Sequence, residues 1–129
     1  MYNVYRRKNP EYKDCYEYRS KNCYGQTIVC EAYRTLAGYF NFTFYITTKR
    51  RDGYQENAIT GKDGQKSLLW AKKCLEDFLE FFKSNRWFKY DTLVVYPSDE
   101  KRRRVYEYAL LPLGFKVMRD KYRSFYYRN

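Results

Sequence analysis

Apolar positions alternate with polar ones through the first half of the chain and recur at helical spacing in the second. In "QTIVCEAYRT" (26–35) Ile28, Cys30 and Ala32 share one face, a period of two that predicts a strand. After the turn "LAG", the stretch 39–50 places Phe40, Phe42, Phe44 and Ile46 on one face. Tyr39, Asn41, Thr43 and Tyr45 occupy the other, so this strand has a core side and an amphipathic side. A further turn, "RDG", leads into a short strand at 54–60, which completes an antiparallel meander. From Gln65 to Asn85 the period changes. Leu68, Ala71, Leu75, Phe78 and Phe82 recur at steps of three and four, the stripe of an amphipathic helix.

A β-branched stretch, "YDTLVVYP" (90–97), predicts a strand ended by Pro97. The segment 98–111 opens with Ser98 and Asp99 as cap, carries Glu100 in its first turn, and predicts a helix broken at Pro112. "GFKVMRD" and "YRSFYYRN" predict a closing hairpin. Residues 1–24, rich in Tyr, Lys and Arg, predict a strand at 12–19 and a segment packed on the sheet or extending it. The whole predicts one α+β domain over 1–129: a mixed, mostly antiparallel sheet with two principal helices and a central parallel strand pair. A strand, a helix and a second strand in succession require that pair and a right-handed crossover. The pair is expected between 54–60 and 91–96.

Composition narrows the chemistry. The chain of 129 residues has 44% apolar and 22% aromatic residues, with 17 tyrosines and 9 phenylalanines, enough for a folded core. It has no histidine, so imidazole catalysis is excluded. Cys15, Cys23, Cys30 and Cys74 form no CxxC pair, and no metal site is expected. These spacings suit reduced thiols in a cytoplasmic protein. No apolar run approaches the ~18 residues of a membrane span, and no signal peptide is apparent. Asn41-Phe42-Thr43 matches a glycosylation sequon but lies in an expected strand.

The net charge of +11 calls for an acidic partner. Lys49, Arg50 and Arg51 on the meander and the run Lys101-Arg102-Arg103-Arg104 are its densest features. They are too widely spread to serve one phosphate, and suit DNA or RNA ahead of an acidic protein surface. A solvated helix face is the plain alternative. The stretch "GYFNFTFYI" invites comparison with the stacking platform of an RNA-recognition motif. The strand order differs from that fold, however, and core aromatics explain the stretch better.

"AITGKDGQKSLLWAKK" (58–73) sets a glycine turn directly before the long helix, where free N–H groups and the helix dipole suit a phosphate. "TGKDGQKSLL" (60–69) is similar to the pyrophosphate loop of the GCN5-related N-acetyltransferases. "VYEYALLPLGFKV" (105–117) is similar to that family's helix-plus-LGF signature. The resemblance spans 26–127. It implies that Gly61, Lys62, Asp63, Gly64, Gln65 and Lys66 hold the pyrophosphate of acetyl-coenzyme A or another acyl-coenzyme A. It also implies that the strand before the loop and the strand carrying Val95 splay to admit the pantetheine arm. The family's tyrosine acid, four residues before the glycine of the signature, corresponds here to Leu110, which leaves Tyr106 and Tyr108 as candidates for that role. Glu56 and Glu31 are the candidate bases. The function so implied is acyl transfer to an amine on a small molecule, a protein or a nucleic acid. The alternative is a non-enzymatic basic module of the same fold that binds nucleic acid or protein.

Overall fold

The computed structural model describes residues 2–22, 25–50, 53–57, 64–85, 88, 91–96, 103–119 and 124–128. Strands β1 (Arg7–Lys8), β2 (Cys15–Lys21), β3 (Thr27–Arg34), β4 (Phe40–Arg50) and β5 (Gly53–Asn57) precede helix α1 (Gly64–Ser84). Strand β6 (Leu93–Val95), helix α2 (Arg103–Leu110), a 3-10 turn (Leu111–Leu113) and strands β7 (Lys116–Arg119) and β8 (Ser124–Arg128) follow. The strands form one sheet in the order β1-β2-β3-β4-β6-β8-β7, with β5 paired to β4 off that path. All pairings are antiparallel except β4 with β6. The fold is thus α+β with a mostly antiparallel sheet, two helices and one parallel pair.

The expected meander is present as β3, β4 and β5. The partner of the parallel pair is not the expected one. Val94 and its neighbours lie beside Phe40–Phe42 at the start of β4, whereas β5, the described part of the strand before the loop, runs antiparallel to the end of β4. β5 thus lies antiparallel along the far half of the β4 edge whose near half pairs with β6, and α1 stands between β5 and β6 in the chain.

Sheet alternation decides what α1 covers. Tyr18, Ile28, Cys30, Ala32, Phe40, Phe42, Leu93, Val95 and Tyr126 form one core cluster with Trp70, Cys74, Phe78, Leu79 and Phe82 of α1. The buried stripe is wider than the expected one: Trp70, Cys74 and Leu79 are added, and Leu68 is only half-buried. Phe78 is the hub, its ring 5.9 Å from Phe40 and 6.1 Å from Phe42 and Phe82. Tyr18 donates to Asp77 Oδ2 at 2.6 Å, and Arg6 donates to the same oxygen at 2.9 Å, tying α1 to β2 and to the N-terminal segment.

Helix α2 stops where Pro112 cannot donate, and Gly114 caps the 3-10 turn at φ 91°, a left-handed conformation suited to glycine. Leu110 and Phe115 enter the same core cluster as α1. The expected cap at Ser98 and Asp99 lies outside the described residues.

Candidate functional site

Strand β4 has eleven residues, and its two edges are used unequally. β3 pairs with it along Phe40 to Thr47. On the other edge β6 occupies Phe40 to Phe42 and β5 occupies Ile46 to Arg50. Thr43, Phe44 and Tyr45 therefore have no strand partner on that edge among the described residues. At ~3.3 Å per residue the notch is about 10 Å long. Phe40 N–H donates to the Thr92 carbonyl at 2.8 Å, which faces the same edge. Peptide direction alternates, so the N–H and C=O of Phe44 open onto the notch. β5 and β6 approach it from opposite ends with their carboxyl termini.

On the sheet face away from α1, a polar cluster borders the notch. Glu31 of β3 stands opposite Thr43. Its Oε2 accepts from the Tyr45 hydroxyl at 3.0 Å and its Oε1 from the Cys15 thiol at 3.6 Å. Thr43 Oγ1 donates to the Glu31 main-chain carbonyl at 3.4 Å. Burial, then the charge and hydrogen bond of Glu31, push the Cys15 thiol up to about 12, so it is protonated and unreactive at neutral pH. The cluster thus pairs one half-exposed carboxylate with one phenol at the notch, an arrangement able to accept and return a proton.

The sequence-derived candidates fall in several places. Gly61, Lys62 and Asp63 lie outside the described residues. Gly64 and Gln65 open α1, whose first four N–H groups lack intrahelical partners. Lys66 is exposed there, and Ser67, fully buried one residue on, has an Oγ without a partner among the described residues. Donors and an orphan hydroxyl in the first turn fit a phosphate group. Val95 is 6% exposed and packs into the core. Tyr106 packs against the core cluster, while Tyr108 is 84% exposed on α2. Neither joins the Glu31 cluster. Glu56 lies on β5, Lys49 and Arg50 end β4, and Arg103 begins α2. Arg104 is exposed, and Arg51 and Arg102 lie outside the described residues.

Tyr45 and Cys15 were missed as site residues, although the alternation of β4 already put Tyr45 on the amphipathic side. Their meeting with Glu31 depends on strand register, which single-strand patterns do not carry. No protein-family model, curated protein or solved structure matches the chain. Among the described residues no helix is long and apolar enough to cross a membrane.

Proposed function

We propose that the protein binds an acyl-coenzyme A and transfers its acyl group to an amine, as a member of the GCN5-related N-acetyltransferase type. One observation carries the reading: Thr43 to Tyr45 of β4 have no strand partner on one edge among the described residues, beside a parallel pair and before a helix that opens with Gly64 and with a Ser67 hydroxyl lacking a partner among those residues. In open sheets, ligands favour crevices at the carboxyl ends of strands where the connection changes direction. An extended, amide-bearing arm would pair with the N–H and C=O of Phe44 as an added strand. The first turn of α1, with Lys66, would take the phosphates.

In the transfer, the amine nitrogen attacks the thioester carbonyl, its proton passes to the Glu31 carboxylate, and the C–S bond breaks. The departing sulfur takes the Tyr45 phenolic proton, which Glu31 then replaces through their hydrogen bond. The products are an amide and the free thiol of coenzyme A.

Thermal-shift titration with acetyl-coenzyme A tests the binding. Ligand at 100-fold its Kd stabilises the fold by about 2.7 kcal/mol, a clear rise in Tm. No shift at millimolar ligand ends the reading and leaves a basic binding module on this fold. With binding present, thiol release to amine acceptors should fall by about 10²-fold or more in Glu31→Gln.

A further inference from the structure

The sheet face away from α1 is lined by half-buried aromatics. Tyr33, Tyr45 and Tyr127 lie on β3, β4 and β8, and Tyr96 meets Phe125 with ring centroids 5.4 Å apart. None of these five belongs to the core cluster, and neither do the buried Val29 and Val94 between them. No described helix lies against them. Register places them in rows: Tyr33 opposite Asn41, Asn41 beside Val94, and Val94 opposite Tyr127. Three strand spacings of ~4.8 Å separate Tyr33 from Tyr127, about 14 Å of ring surface.

Cations rim this face at both edges. Arg7, Arg19 and Lys21 are exposed at the β1–β2 edge, and Lys116, opposite Tyr127, is exposed on β7. Two acids of the face are engaged internally, Glu17 with Arg19 and Glu31 with Tyr45 and Cys15, and Glu56 shares the face by register opposite Thr47. An aromatic centre with a positive rim complements a chain of bases on a phosphate backbone. A protein carrying +11 has that sign of charge to spare.

Within the aromatic row, Asn41 Nδ2 donates to the Tyr33 oxygen at 2.8 Å, while Asn41 Oδ1 has no partner among the described residues. The Tyr33 hydroxyl proton is thereby left to donate next to an acceptor in need. A ribose 2′-hydroxyl, which both accepts and donates, satisfies the two together, and deoxyribose does not.

We propose that this face, against which no described helix lies, binds single-stranded RNA, its bases stacking on Tyr33, Tyr127 and Phe125 and its phosphates meeting the rim. The inference concerns binding alone and stands independently of the acyl-coenzyme A reading.

The test is fluorescence anisotropy with the full chain, without acyl-coenzyme A, using a labelled RNA decamer, the DNA of the same sequence and the RNA duplex. Expected are micromolar affinity for the single-stranded RNA, several-fold weaker binding of the DNA, and weaker binding again of the duplex. Tyr33→Leu with Tyr127→Leu keeps apolar bulk on the sheet and should lower affinity at least about tenfold, the effect of lost base stacking. Tyr33→Phe keeps the ring and should remove the RNA-over-DNA preference. Arg19→Ala and Lys116→Ala, both on exposed positions, should each reduce the slope of log affinity against log salt by about 0.7. Equal binding of RNA and DNA overturns the ribose contact. Equal binding of the duplex, or unchanged affinity in the double leucine variant with its melting curve intact, overturns the stacking face.

Discussion

Replacing Tyr18 by Phe and Asp77 by Ala, singly and together, measures how α1 is fixed over the sheet. The Tyr18 side chain is fully buried and its hydroxyl reaches Asp77 Oδ2 at 2.6 Å, while the Asp77 side chain keeps 38% exposure. A hydrogen bond to a charged acceptor contributes ~1.5–3 kcal/mol. In Tyr18→Phe the carboxylate retains Arg6 at 2.9 Å and water, so no buried group is orphaned. The expected loss is therefore at the low end, ~1–2 kcal/mol.

Asp77→Ala acts differently. It strands the phenolic hydroxyl where water does not reach, costing ~1–3 kcal/mol, and removes a half-exposed ion pair contributing at most ~1 kcal/mol. The sum is ~1–4 kcal/mol. Once Asp77 is gone the hydroxyl is a liability, and Phe at 18 relieves it. The double variant should then be less destabilised than the two singles added, with a coupling of ~1–2 kcal/mol. Arg6→Ala is the control. It loses the surface pair and a guanidinium 4.0 Å from the Phe81 ring centroid, ~0.5–1 kcal/mol each. Urea midpoints at constant m supply all four values. Additive singles, or a neutral Tyr18→Phe beside a costly Asp77→Ala, would refute the shared bond.

Two further outcomes follow from the backbone and the buried thiols and phenols. Gly114→Ala places a methyl at φ 91°, 2.6 Å from Arg128 Nη1, which donates to the Leu113 carbonyl. The backbone alone costs ~1–2 kcal/mol, so Tm should fall by roughly 5–10 °C. Gly38→Ala, at φ 90° with nothing within 4 Å of its Cβ, should fall less, and equal losses would remove the role of Arg128. Alkaline pH should unfold the protein cooperatively. Burial raises Cys15 to about 12 from 9.0, and burial also raises Cys30, Tyr16 and Tyr18. These groups hold their protons in the fold and lose them sooner in the unfolded chain. Stability is then flat below pH ~9 and falls as pH rises from there toward 12; a urea midpoint unchanged between pH 8 and 11 would contradict it.

What the sequence carries well is local period, and the core follows from it. Phe40, Phe42 and Phe44 are separated from Asn41, Thr43 and Tyr45 by alternation alone, and the structure puts the first set toward α1. The helix is equally legible, but its buried stripe is wider than the period shows, because Trp70 and Cys74 reach the core beside the strict three-and-four rows. The candidate site was less legible. Glu31 was a candidate as a glutamate on a neighbouring strand, yet what distinguishes it is two donors, Tyr45 and Cys15, from strands on either side. Those meetings are fixed by inter-strand register, fourteen and sixteen residues distant in the chain. The helix signature that points to Tyr106 and Tyr108 specifies a position along α2 but not which side faces the sheet: Tyr106 packs on the core and Tyr108 is exposed.

The misplaced parallel partner shows where local reasoning stops and topology begins. A strand followed by a helix and another strand suggests that the two strands flanking the helix lie together. Instead β5 runs antiparallel along the far half of one edge of β4. β6 can then pair only with the near half, along three residues. Among the described residues the two strands do not meet on this eleven-residue partner, and Thr43 to Tyr45 lie between them on that edge. The notch is thus placed by strand register, between Asn57 opposite Ile46 and Val95 opposite Phe42. It lies beside Glu31 because β3 pairs with β4 without interruption over the same residues, so the register that builds the core also delivers the carboxylate to the gap.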